Sequence, residues 1–245
     1  MPRASTKAKV GQRPAAPDLG TELGLAVGGA RLVGGCDEVG RGSLAGPVTV
    51  GMVVVDPLLS GTIPGVRDSK LLTAAAREEL VPHIRSWAAG WGVGHASAGE
   101  IDEFGLVAAL RLAGTRAWQA ASLVARPDVV LLDGNQDWLG NRPQEALFAG
   151  AGIAPQTRVA PGGVDVPVTL RVKADLACLS VAAASVLAKV ERDALMSAYD
   201  AECPGFGWSR NKGYGTLAHR AAIRARGPSH HHRRSWRLTD TGQGQ

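Results

Sequence analysis

Asp37 and Glu38 are adjacent carboxylates at the end of an apolar segment, and they run almost directly into Gly40-Arg41-Gly42. Leu32, Val33 and Cys36 lead in, and the run Val48–Val55 leads out. Runs this short and β-branched, bounded by Gly and Pro47, read as buried strands. A carboxylate pair at the end of a buried strand is costly to desolvate unless something positive binds it, and a divalent cation is the simplest such partner. The Gly-Arg-Gly loop offers backbone N–H groups free of Cβ obstruction and one guanidinium, both suited to a phosphate or a sugar hydroxyl. On these residues alone, a surface turn with two solvated acids and a flexible loop reads equally well.

Two further carboxylates change that balance. Asp133 closes the apolar run 129–132 ahead of Gly134, and Asp175 lies between the run 168–172 and a long helical pattern. Asp133-Gly134 could be only a turn, and Asp175 only a helix cap. Yet Asp37-Glu38, Asp133 and Asp175 all fall at a predicted strand end or at the start of the following helix. Three segments distant in sequence can bring such ends together at one edge of a sheet. Four converging carboxylates would repel strongly unless neutralised, and oxygen-only ligation selects magnesium or manganese. Two such ions ~4 Å apart can activate a water and stabilise the leaving oxygen of a phosphodiester.

The elements that would position these residues follow from periodicity and caps. Strands are expected near 32–38, 47–55, 90–96, 129–132 and 168–172. Asp68-Ser69-Lys70 sits in a loop, and Thr73 caps a helix carrying Leu80 and Ile84 that Pro82 is expected to kink or shorten. Ser97 with Glu100 has capping-box spacing and opens one long helix. Residues 135–167 read as a Gly/Pro-rich insertion anchored by Trp138 and Phe148. A helix over 176–199 and a shorter one from Thr216 complete the chain. Strands first, then alternation with helices, implies an α/β fold: a mixed sheet with helices on its faces. Residues 1–30, rich in Pro, Ala and Gly, are expected to be a disordered tail, 31–203 the catalytic domain and 204–245 a basic extension.

Charge is distributed unevenly. Residues 1–203 hold 19 Lys and Arg against 21 Asp and Glu, whereas residues 204–238 hold eight Lys and Arg and no acid. Trp208, Tyr214 and Trp236 are interleaved with these cations, a pattern suited to stacking on bases or sugars while neutralising phosphates. A merely solubilising basic tail is the plainer alternative. Three widely spaced cysteines suggest a reducing compartment and argue against a zinc site built on thiolates. Arg3, Lys7, Lys9 and Arg13 are followed by Pro and Ala rather than by an apolar stretch, so no signal peptide is read. The longest apolar run, 176–188, is too short to span a bilayer. A cytoplasmic protein with no membrane partner is expected. No G-x-x-x-x-G-K-[ST] occurs, which argues against a P-loop nucleotide binder.

Taken in order, Asp-Glu-Val-Gly-Arg-Gly at 37–42, Asp68-Ser69-Lys70, Leu132-Asp133-Gly134, Lys173-Ala174-Asp175, Ser180-Val181-Ala182-Ala183-Ala184-Ser185, Gly213-Tyr214-Gly215-Thr216 and His232-Arg233-Arg234-Ser235-Trp236 resemble ribonuclease HII. The resemblance covers about 32–236. It implies a ribonuclease H-like mixed sheet flanked by helices. It also implies endonucleolytic cleavage of the RNA strand of RNA–DNA hybrids and incision at single ribonucleotides in duplex DNA, leaving 3′-hydroxyl and 5′-phosphate ends. Under it Asp37, Glu38, Asp133 and Asp175 match the metal-binding catalytic carboxylates, and the cofactor is Mg2+ or Mn2+. Gly40, Arg41 and Gly42 match the loop that reads the ribose 2′-hydroxyl, Tyr214 the tyrosine that packs on the sugar, and Lys70 a phosphate contact. The expected partners are RNA–DNA hybrid and ribonucleotide-containing duplex, bound by a monomer.

Departures from the pattern are few. The long insertion makes Asp175 the least secure of the four acids. Leu71 stands where a second lysine is usual, and Trp236 where a phenylalanine is. His230-His231-His232 reads as nucleic-acid-facing or structural rather than as a metal cluster. Cys36, beside Asp37, reads as a small core residue. The rival functions are another two-metal nuclease of the same fold acting on DNA, and a catalytically silent nucleic-acid-binding module. The Gly40-Arg41-Gly42 loop and Tyr214 argue against the first, since DNA has no 2′-hydroxyl to read. Four carboxylates without a purpose argue against the second.

Overall fold

Glycines in the first three strands decide how closely helices can approach the sheet. In the computed structural model, which describes residues 15–140 and 162–239, β1 (Val33–Val39), β2 (Val48–Val55), β3 (Gly90–Ala96), β4 (Val129–Asp133) and β5 (Val168–Arg171) form one sheet in the order β3-β2-β1-β4-β5. β1, β2 and β3 pair antiparallel, while β4 and β5 run parallel to β1. This is the mixed sheet that the residue pattern implies.

Each face carries its own core. On one face Val48, Val50, Met52 and Val54 meet Leu110, Ala113, Ala117 and Ala121 of a helix spanning Leu106–Ser122. On the other, Val53 and Val55 meet a helix spanning Leu179–Glu202 through Val181, Ala183 and Val186. Period-two alternation sends neighbouring strand residues to opposite faces, so β2 is buried along its whole length. A Cβ at Gly35 or Gly51 would overlap the backbone of Ser180 or Ala184, and one at Gly92 or Gly94 that of Ala117 or Ala113. Glycine facing an Ala-rich helix thus sets the short helix-to-sheet distance on both sides.

Four expectations change. Residues 20–27, inside the segment read as disordered, form helix α1 (Gly20–Val27), and its Glu22 is buried with Oε1 accepting from Ser180; residues 1–14 lie outside the described residues. Glu22 and Ser180 are 158 positions apart, a pairing no local pattern reveals. Pro82 does not shorten α2 (Ala74–Trp87), which runs on past it. The long helix expected after Ser97 is two, α3 (Ala98–Phe104) and α4 (Leu106–Ser122), divided at Gly105 with φ +82°. The 176–199 helix likewise divides into α5 (Ala174–Ala177) and α6 (Leu179–Glu202). The Ser97–Glu100 capping box forms as expected. Trp138 is buried in the core beside Leu139, whereas Phe148 falls outside the described residues.

The basic segment is knitted into the body. α7 (Trp208–Asn211) and α8 (Leu217–Arg226) follow α6, and Phe206, Trp208 and Ile223 share a core with Leu44, Ala45 and Met196. The boundary drawn at residue 203 marks a change of charge, not of packing. Trp208 is fully buried, stacked on Phe206, with its indole N–H donating to His219 Nε2 at 3.0 Å. It is a core residue and does not face a base. Among the described residues no helix is long and apolar enough to cross a membrane.

Candidate active site

The four acids stand near enough for their charges to interact. Asp37 and Glu38 lie at the C-terminal end of β1, and β4, its parallel neighbour, ends at Asp133. Asp133 Oδ1 accepts the backbone N–H of Ala174 at 2.7 Å, which ties the end of β4 to the short helix carrying Asp175. Asp175 does not cap that helix; Lys173 does, in the left-handed conformation with φ +60°. Asp175 is therefore released to face Lys70, whose Nζ stands 3.1 Å from its Oδ2 and 3.6 Å from Asp68 Oδ1.

The electrostatics are those of acids crowded together. Burial pushes the Asp37 carboxyl well above the usual range, and the charges of Glu38 and Asp133 push it further while Lys70 opposes. Burial also raises Glu38 against the pull of Arg41, whose guanidinium lies 3.3 Å from Oε1. Asp133 is raised by burial and then by Asp175. Burial disfavours the Lys70 charge, but the Asp175 hydrogen bond and the charges of Asp68 and Asp37 outweigh it and hold the ammonium above its usual range. Glu38 Oε2 is buried and has no hydrogen-bond partner. An orphaned carboxylate oxygen among three more acids fits a hard divalent cation. Asp37, Glu38, Asp133 and Asp175 are the residues that would hold it.

Beside the acids, Gly40-Arg41-Gly42 is held from beneath by two arginines that sequence reasoning missed. Arg233 donates to Gly40 O at 2.6 Å, Arg41 O at 2.8 Å, Ser43 Oγ at 3.0 Å and Gly46 O at 3.2 Å. Arg192 donates to Ser43 Oγ at 2.7 Å, and to the carbonyls of Ala45, Pro47 and Lys212. Both are wholly buried. Gly40 has φ +84°, and a Cβ there would overlap Arg192. Its glycine is thus required twice, by conformation and by space. Arg41, by contrast, stays exposed. Tyr214, 38% exposed, lies over Arg192 with 5.8 Å from guanidinium to ring, at the same loop. Trp236 is half-buried and covers Arg233 at 4.7 Å, so of the three interleaved aromatics Tyr214 alone presents its ring outward.

The three terminal histidines part company. His232 is buried against Phe206 and Trp208, 3.2 Å from His219. His230 and His231 turn instead towards Glu202. Cys36 is a core residue, as expected.

Comparison with known proteins gives the family and the fold. The model of the family described as Ribonuclease HII matches residues 34–239. The ribonuclease HII of Streptomyces coelicolor is 43% identical over 212 residues, 86% of this chain and 79% of the relative. The ribonuclease H2 structure from Pyrococcus horikoshii superposes with a TM-score of 0.59 at 26% identity, covering 84% of this chain and 94% of that one. The Bst-RNase HIII structure in complex with Mn2+ shares the fold at a TM-score of 0.62 and 21% identity, covering 85% and 68%. With its acids, loop and tyrosine in the arrangement described, the chain belongs to the ribonuclease HII family.

Proposed function

We propose that this chain is a magnesium- or manganese-dependent endoribonuclease that cuts the RNA strand of RNA–DNA hybrids and incises duplex DNA at single ribonucleotides. The observation that carries this reading is the orphaned Glu38 Oε2 among Asp37, Asp133 and Asp175, directly beside a loop locked by buried arginines. A bound divalent ion would supply a nucleophilic water and stabilise the leaving oxygen. The protein's part would be to hold four oxygen donors at the C-terminal ends of β1 and β4 and in α5, and to exclude bulk water from Asp37. Gly40, Arg41 and Gly42 would meet the 2′-hydroxyl, because Arg233 takes up the carbonyls of Gly40 and Arg41 while Arg192 braces Ser43 and Pro47 behind them. The Tyr214 ring would cover the neighbouring sugar. Lys70 has a side chain 72% exposed, and this lets it reach a phosphate next to the acids. All of these groups come from one chain, so a monomer suffices.

The test is incubation with a duplex containing one ribonucleotide, an RNA–DNA hybrid and an all-DNA duplex, each with and without magnesium. Metal-dependent cutting of the first two, ending in 3′-hydroxyl and 5′-phosphate, supports the reading. Cutting of all-DNA duplex, or no metal dependence, overturns it.

A further inference from the structure

Far from the four acids along the chain, a second set of metal-ligating side chains comes together. Glu202, Cys203, His230 and His231 each place one ligand atom within 4.8 Å of the others. Glu202 bridges the pair of imidazoles, with Oε1 3.3 Å from His230 Nε2 and Oε2 3.4 Å from His231 Nε2. We propose that these four residues form a structural site for a borderline-soft divalent cation of the zinc class, fastening the end of α6 to the segment before Arg233.

The donors are the right kind. Two imidazoles, one thiolate and one carboxylate make a closed four-ligand set, and mixed N/S donors select zinc-class ions over magnesium. The site is partly built already. His231 is stacked on Tyr199 with centroids 3.9 Å apart, which fixes its ring, and its Nε2 is buried without a hydrogen bond. Glu202 Oε2 approaches that nitrogen at 3.4 Å, as an ion-pair contact. Cys203 is fixed through its backbone N–H to Tyr199 O at 2.8 Å. Glu202 and Cys203 are the last residue and C-cap of a 24-residue helix, where the macrodipole favours a cation.

The site would matter for what it anchors. His231 O accepts the N–H of Gly46 at 2.8 Å, and the N–H of Arg233 donates to Leu44 O at 2.9 Å. An ion clasping His230 and His231 to α6 therefore tethers the strand-like segment that delivers Arg233 to the Gly40-Arg41-Gly42 loop. Sequence spacing hides the site, because the cysteine and the histidines are far apart in the chain.

The test uses full-length protein stripped with chelator and titrated with Co2+, then Zn2+, in excess magnesium to occupy oxygen-only sites. One equivalent of Co2+ should produce tetrahedral d–d absorption with a thiolate-to-metal charge-transfer band, and Zn2+ should displace it and raise the unfolding temperature by several degrees. Cys203→Ser should abolish the charge-transfer band. His230→Ala, an exposed substitution, should leave the unfolding temperature of stripped protein unchanged but weaken Co2+ and Zn2+ binding roughly tenfold or more, since even outer-shell losses cost that much. Folded protein that shows no charge-transfer band overturns the proposal. So does a band that survives Cys203→Ser, or a zinc-induced stabilisation that His230→Ala leaves intact; any of these would mean an ordinary histidine–glutamate ion pair.

Discussion

Arg233→Lys isolates what the buried guanidinium contributes to the Gly40-Arg41-Gly42 loop. The substitution keeps the positive charge, and with it the repulsion from Arg192, but replaces a planar fork by a point donor. Arg233 reaches four acceptors, at Gly40, Arg41, Ser43 and Gly46, and one ammonium cannot span them. Two bonds or more are lost. Bonds from a charged donor contribute roughly 1.5–3 kcal/mol each, so the gross loss is roughly 3–6 kcal/mol. Gly40 O keeps the Ser43 hydroxyl and N–H as donors, and the carbonyl of exposed Arg41 can recover a water. The net destabilisation should therefore be about 2–4 kcal/mol. Urea unfolding followed by circular dichroism measures it. The loosened loop should also lower kcat/KM on a single-ribonucleotide duplex more than on a long hybrid, where many registers are available. A variant within 0.5 kcal/mol of wild type, about the noise of a surface substitution, with unaltered substrate preference would refute the argument that Arg233 holds the loop.

Asp133→Asn should nearly abolish cleavage while leaving the fold intact, because an amide oxygen can still accept the Ala174 N–H and one repelling charge is removed from the cluster; wild-type turnover in saturating magnesium would remove Asp133 from the site. Gly40→Ala should destabilise by about 2–4 kcal/mol, since φ is +84° and the methyl meets Arg192, and urea unfolding checks it. The His232 pKa is pushed down from 6.5 to about 4 by burial and then by the charge of His219, so its share of stability is complete above pH 6.5 and is lost as pH falls towards 4. That loss can reach about 3 kcal/mol, and unfolding midpoints of wild type and His232→Asn should converge as the pH falls through this window. Tyr214→Ala should cut activity at a single ribonucleotide severely, a stacking contact being worth ~1–3 kcal/mol, with long hybrids affected as much or less and all-DNA duplex still uncut; equal single-ribonucleotide rates would remove Tyr214 from the site.

What could be read in advance was whatever depends on local pattern. The segment 90–96 reads as a strand and forms β3, and the Ser97–Glu100 spacing gives a capping box that forms. The acids stand out because a charge at the end of a buried strand is expensive wherever it occurs. Asp175, doubtful across the long insertion, arrives beside Lys70 because Asp133 holds the N–H of Ala174. Local pattern could not see Gly105, whose positive φ breaks a run of otherwise helical spacing. Nor could it see that Trp208 turns inward, because an aromatic among cations reads the same whether it faces a base or a core. The division of the three histidines between a buried ring cluster and Glu202 depends on tertiary contacts alone.

Arg192 and Arg233 were the least legible of all, for a reason that bears on function. Arginine is almost never fully buried unless paired, so sequence reasoning places Arg233 with the surface cations of the basic segment. Among the described residues neither arginine forms an ion pair with a carboxylate; both are satisfied by carbonyls and the Ser43 hydroxyl. Backbone oxygens satisfy the donors without cancelling the charge. Two uncancelled charges in a poorly screened interior project positive potential through the loop above them. A carboxylate placed there would have stabilised the pair but erased that field, and would have drawn Arg41 inward. The loop is thus held rigid by the same groups that make its outer face attractive to an anionic backbone. It lies beside acids whose charges crowd one another. Opposite potentials set side by side suit a phosphodiester: the loop would favour its backbone charge, and Asp37, Glu38, Asp133 and Asp175 would hold a divalent ion able to stabilise the leaving oxygen.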